Sequence, residues 1–221
     1  MNRNTELVFI LDRSGSMSGR EEDVIGGFNS TLEQQKEASE KCVVTTILFS
    51  DDYETVHDRL DIREVKKMER RDFQVGGCTA LIDAIGKTIE HISDIHRYIR
   101  KEDVPERTLF VIMTDGMENA SRKYSSEEVK RMISQKKECH WEFLFLGANI
   151  DAVETAKTFG IREDRAVNYH NDRKGISATF GGVKSFMKTF MNTALEDEEV
   201  EACLGAGAWR AEADEDYKSR S

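Results

Sequence analysis

Short uninterrupted apolar runs alternate along the chain with longer segments whose apolar residues recur every three or four positions. Leu7-Val8-Phe9-Ile10-Leu11 ends at Asp12 and predicts a strand buried on both faces. From Glu21 to about Lys41, Val24, Ile25, Phe28, Leu32 and Gln35 fall near one helical stripe. Cys42 to Phe49 is a second β-branched run. Ser50-Asp51-Asp52 turns it into Tyr53 to Leu60, which alternates enough for an antiparallel edge strand in a hairpin. Asp61 to Phe73 is charged and reads as a short helix plus loop.

Ala80 to about Arg100 predicts a strong helix, its apolar face supplied by Leu81, Ile82, Ile85, Ile89 and Ile92. Thr108 to Thr114 is the next buried strand. Ser125-Ser126-Glu127-Glu128 opens a helix with capping hydroxyls and early acids, running to about Cys139. Trp141 to Leu146 reads as a strand, Asp151 to Phe159 as a short helix stopped by Gly160, and Ala166 to Tyr169 as a last strand. Gly175 to about Leu195 is the last helix, with Ile176, Phe180, Val183, Met187 and Phe190 on one side. Gly181-Gly182 within it reads as a close packing point.

Strands alternate with helices and are short and apolar. The expected fold class is α/β: a Rossmann-like, doubly wound, mostly parallel sheet with one antiparallel edge strand and helices on both faces. The 221 residues suffice for one substantial core. Acids cluster at Glu196-Asp197-Glu198-Glu199 and Asp214-Glu215-Asp216, so residues 196–221 read as an acidic, flexible tail behind a domain of residues 1–195.

The net charge of −10 argues against nucleic-acid binding and against docking on anionic membranes. No apolar stretch approaches the roughly 20 residues that span a bilayer. Met1 to Glu6 carries no secretory pattern. The four cysteines, Cys42, Cys78, Cys139 and Cys203, are widely spaced and form no Cys-x-x-Cys pair. That spacing disfavours a disulfide framework or zinc site and makes a cytoplasmic setting the expectation.

The candidate chemistry lies in three loops. Asp12-Arg13-Ser14-Gly15-Ser16 follows the first strand, Gly76-Gly77-Cys78-Thr79 precedes a helix, and Thr114-Asp115-Gly116 ends another strand. Ligands of open parallel sheets gather outside the carboxyl ends of the strands, near the switch point. Asp12, Ser14, Ser16, Thr79 and Asp115 would offer two carboxylates and three hydroxyls there. These hard oxygen donors suit Mg²⁺, with Mn²⁺ or Ca²⁺ as alternatives. Neutral hydroxyls leave much of the ion's charge uncompensated, so the site is expected to attract a carboxylate from outside. Gly76-Gly77 lacks the following Lys-Ser/Thr of a phosphate-binding loop. The five histidines show no ligand spacing.

At these residues the chain resembles von Willebrand factor type A domains and their metal-ion-dependent adhesion site. The likeness rests on FILDRSGSM, GGCTALIDAI and FVIMTDGMEN and covers about residues 5 to 195. It implies hydroxyl ligation by Ser14, Ser16 and Thr79. It implies that Asp12 and Asp115 bind directly or through water, and that a partner's Glu or Asp completes the coordination. The resulting expectation is a non-enzymatic, metal-dependent protein-binding module. A metal-dependent hydrolase or phosphatase is one alternative. A structural subunit of a stress- or tellurite-resistance-type assembly is the other. No His or Lys stands beside the cluster for acid–base work, which counts against the enzyme.

Overall fold

The computed structural model describes residues 4–38, 41–192 and 207–220. The described residues contain six strands: β1 (Thr5–Asp12), β2 (Cys42–Phe49), β3 (Tyr53–Asp61), β4 (Arg107–Thr114), β5 (Trp141–Ala148) and β6 (Ala166–Tyr169). They form one sheet in the order β3-β2-β1-β4-β5-β6. β1 runs parallel to both β2 and β4, β4 to β5, and β5 to β6. β3 pairs antiparallel at the edge, as its hairpin with β2 requires. The expected doubly wound α/β architecture with one antiparallel edge strand is therefore the one observed.

The α-helices among the described residues are α1 (Glu21–Ala38), α2 (Leu81–Tyr98), α3 (Ser126–Lys137), α4 (Ala152–Thr158), α5 (Arg173–Asn192) and α6 (Ala211–Arg220). The period of two along a strand sends alternate side chains to opposite faces. Leu7, Phe9 and Leu11 of β1 pack with Phe28 of α1 and Phe180 of α5 in one core. Val8 and Ile10 pack with Ile85 and Ile89 of α2 and Ile133 of α3 in the other. A central strand covered on both sides must be apolar throughout, which is why β1 reads as an unbroken run. Ser125 caps α3 by accepting from Glu128 N, while the Glu128 side chain accepts from Ser125 N.

Two expectations are corrected. Asp61 to Phe73 contains no helix, only turns at 62–64 and 70–72. Instead, Ile62, Val65, Met68 and Phe73 are buried against the core. The Asn29 side chain takes up both polar groups of the Met68 backbone, at 2.9 Å each, so this backbone is satisfied without a helix.

The expected flexible tail, 196–221, lies partly outside the described residues. Its last part departs from that expectation: Ala208–Arg210 form a 3₁₀ turn that leads into α6. Trp209 is buried and donates from Nε1 to Asp164 O at 2.9 Å. Gly182 lets this turn close on α5, since a Cβ there would sit 2.5 Å from Trp209 O. Gly181-Gly182 thus borders a packing contact.

Arg220 of α6 pairs with Asp172 and Asp216. The guanidinium holds the Asp172 carboxyl down at about 2 and lowers that of Asp216. A carboxyl depressed in the fold stabilises it above the unfolded value, near 3.8, and this contribution fades as pH falls toward about 2. Acid in that window is expected to loosen α6 before the sheet. In a Trp141→Phe variant the remaining Trp209 fluorescence should shift before far-ultraviolet dichroism changes. Coincident transitions would contradict this.

Candidate metal centre

The sheet order reverses its direction of growth between β1 and β4, so the loops leaving their carboxyl ends diverge around a crevice. The first loop begins at Asp12. Its Oδ1 accepts from Ser14 N at 2.7 Å, which folds the chain back, and its Oδ2 accepts from Thr114 Oγ1 at 2.6 Å across to β4. A 3₁₀ turn over Gly15–Met17 follows and seats Met17 in the core.

The loop is clamped by its neighbours. Arg13 N donates to Phe49 O at 2.8 Å, Gly76 N to Arg13 O at 2.9 Å, and Gly15 N to Gly77 O at 3.1 Å. The Arg13 side chain turns away to Asp52 and Glu54, at 2.9 and 2.5 Å. Gly77 adopts φ +79°, and a Cβ there would collide with Asp51 Oδ1 at 1.7 Å, so glycine is required.

Ser14 Oγ and Ser16 Oγ are 3.2 Å apart, and Ser16 Oγ donates to Asp115 Oδ1 at 2.5 Å. Thr79 reaches the same place from the start of α2. A Cβ built on Gly116 would lie 3.6 Å from Thr79 Oγ1 and 3.7 Å from Ser16 Oγ, so both hydroxyls flank one glycine. All five expected residues therefore meet. Asp12, Ser14, Thr79 and Asp115 are buried, whereas Ser16 is exposed and brings the cluster to the surface.

The electrostatics follow from this placement. Burial pushes the Asp12 carboxyl up, against hydrogen bonds from Thr114 and Ser14 that lower it. Burial also pushes Asp115 up, and the nearby Asp12 charge adds to the rise. Neither carboxylate has a Lys, Arg or His ion-pair partner among the described residues. Two desolvated carboxylates and three hydroxyls, with no side-chain cation between them, form a donor set that fits a hard divalent ion.

Several residues beyond these five support the site. Asn171, after β6, donates from Nδ2 to Asp115 Oδ2 at 2.6 Å. Asn149, after β5, donates to Asp115 O at 3.2 Å. Asn119 Oδ1 accepts from Thr79 N at 2.9 Å, and Asn119 N donates to Thr79 O at 3.0 Å. Glu118 accepts from Ile82 N at 2.9 Å and Ser121 N at 2.7 Å. Glu118 and Asn119 thus fasten the start of α2 to the loop after β4.

Comparison with known proteins bears on the family and the fold. The family model described as "VWA domain containing CoxE-like protein" matches residues 1–142. Comparison with curated proteins gives no match. Among solved structures, the vWF domain of the type V pili tip protein Mfa5 from Porphyromonas gingivalis superposes with a TM-score of 0.67 at 9% identity. The match covers 90% of this chain and 99% of that one. Proximal thread matrix protein 1 from the mussel byssus, described with a zinc-occupied MIDAS motif, gives a TM-score of 0.59 at 12% identity over 81% of this chain and 46% of that one. The pilus adhesin SpaC from Lactobacillus rhamnosus GG gives 0.65 at 12% over 86% and 31%. This chain thus spans less than half of the last two. At such identities the likeness concerns the fold.

Proposed function

Because the chain belongs to the von Willebrand factor type A domain family, we propose that it is a protein-binding module whose Asp12, Ser14, Ser16, Thr79 and Asp115 hold a divalent cation. Mg²⁺ is the proposed ion, with Mn²⁺ or Ca²⁺ as substitutes. The observation that carries this reading is Ser16: its hydroxyl touches both Ser14 Oγ and Asp115 Oδ1 while the residue stands exposed.

A bound divalent ion would supply a positive charge; held directly by the neutral hydroxyls of Ser14, Ser16 and Thr79, with Asp12 and Asp115 at one remove through water, it would keep an attraction for an outside carboxylate. This chain's residues do the rest. Asp12 fixes the loop that presents Ser14 and Ser16. Thr114 and Asn171 orient the two carboxylates. The exposed side at Ser16 admits a carboxylate from an Asp or Glu of a partner protein. No His or Lys hydrogen-bonds to the five residues among those described, which supports capture over turnover.

Cys42, Cys78 and Cys139 are free thiols, which suits the proposed cytoplasmic setting. No helix among the described residues is long and apolar enough to cross a membrane.

The test uses an immobilised Glu-containing peptide. Retention of the protein should require Mg²⁺, vanish with EDTA and vanish when Gln replaces the peptide's Glu. Retention indifferent to EDTA contradicts the reading. Hydrolysis of a phosphate ester in Mg²⁺ would favour an enzyme instead.

Asn171 provides a milder check. Removing a group that orients a metal ligand costs roughly 10–100-fold in metal affinity. Asn171→Ala is expected to weaken Mn²⁺ binding within that range, read by titration calorimetry, with unchanged thermal stability in EDTA. Unaltered affinity would show that Asn171 does not position Asp115.

A further inference from the structure

A cleft of about 590 Å³ opens beside Thr79, between the β2–β3 turn, the outer side of α2 and the loop after β4. Cys78, Ala80 and Asn119, which flank or bond Thr79, line its end nearest the candidate metal centre. Its walls are fixed. Asp83 accepts from the backbone N–H groups of Arg122, Lys123 and Tyr124 at 2.8, 2.8 and 2.9 Å. Gly86 lets the Tyr124 ring settle on α2, because a Cβ there would fall 2.6 Å from it.

The charges in this cleft are unequally engaged. Asp52 is taken by Arg13 and by Ser50 Oγ, Asp83 by three backbone amides, and Asp51 accepts from Cys78 N. Lys123 pairs with Glu90. Lys87 and Arg122 are exposed and have no carboxylate partner among the described residues. Lys87 Nζ instead lies 3.8 Å from the centre of the Tyr53 ring, which holds it on the cleft wall. In a chain of net charge −10, two uncommitted cations beside a site for a carboxylate call for an acidic occupant.

We propose that this cleft is a second subsite, in which Lys87 and Arg122 bind a second acidic side chain of the same partner segment. The inference rests on the metal-bridged reading above. Lys87 lies eight residues beyond Thr79, roughly 12 Å along a helix rising about 1.5 Å per residue. An extended peptide covers that in three to four residues at about 3.3 Å each. The fitting partner chemistry is therefore an extended segment with two acids spaced by three or four positions. Exposed ion pairs of this kind are weak singly, so two contacts yield roughly three- to tenfold in affinity.

The probe is a fluorescent, Gly-rich peptide carrying an Asp and, four positions on, a Glu. Its control carries Gln in place of that Glu. Binding is followed by anisotropy in Mg²⁺. The wild type should prefer the two-acid peptide by about three- to tenfold. The Lys87→Ala/Arg122→Ala double variant should bind both peptides alike, at the control's level, and Asp12→Ala should lose both. An undiminished preference in the double variant overturns the second subsite and leaves the metal reading standing. Equal binding of both peptides by the wild type also overturns it. Binding of either peptide that survives Asp12→Ala or EDTA overturns the metal reading itself.

Discussion

Asp12→Ala is expected to lower affinity for Mg²⁺ and Mn²⁺ by at least about 100-fold in titration calorimetry, beyond the loss typical of outer-shell partners. Asp12 supplies one of the two negative charges and also shapes the loop, through its bonds to Ser14 N at 2.7 Å and Thr114 Oγ1 at 2.6 Å. Asp12→Asn separates these roles. It keeps the size of the side chain and an oxygen that accepts from Ser14 N, but it removes the charge. Nearly the same loss of affinity is expected, with most of the loop's stability retained. Retained affinity in Asp12→Asn would mean that charge is not what the site contributes.

Protons must compete with the ion, because burial raises both Asp12 and Asp115. A carboxyl whose pKa is raised in the fold favours the folded state at low pH and opposes it once ionised. Bound metal offsets that opposition. The rise in melting temperature on adding Mg²⁺ should therefore grow with pH through the carboxyl range and level off above it. A rise independent of pH throughout would place the ion elsewhere.

Phe9→Ala should cost about 3–5 kcal/mol in urea unfolding, the usual cost of emptying a large aromatic site. Phe9 sits on the central strand with no exposure and meets Phe28 of α1 edge-on, with ring centres 5.0 Å apart. The cavity would lie between β1 and α1, where the packed sheet can relax little. The ligand residues are untouched, so the folded fraction should still bind Mn²⁺ with near-wild-type affinity. A loss under about 1 kcal/mol would mean the core collapses around the gap more readily than its packing suggests. Phe9→Ala and Asp12→Ala thus dissociate stability from metal binding within one strand.

The elements that the chain's pattern makes legible are those whose burial is two-sided or periodic. β1 and β4 read as strands because both of their faces are covered, and α2 because its isoleucines recur on one face. The five oxygen-bearing residues proposed as ligands stand out for a different reason. Each follows a strand or opens a helix, and the sheet order brings those ends together.

What pattern could not reveal is long-range satisfaction of polar groups. Asn171 and Asn149 sit in ordinary loops, and only folding sets them against Asp115. The 61–73 segment mimics a helix by its charge, but its buried side chains and the Asn29 bonds hold it otherwise. The acidic composition of 207–220 hides Trp209, whose burial draws this stretch onto α5 and β6.

The most direct measurement is anomalous diffraction from crystals of the full chain grown with millimolar Mn²⁺. The predicted result is one strong peak within coordination distance, about 2.2 Å on the scale of such oxygen ligands, of Ser14 and Ser16 Oγ and beside Thr79, Asp12 and Asp115. A map with no peak among these five residues, or with the peak retained there in Asp12→Ala crystals, would contradict it.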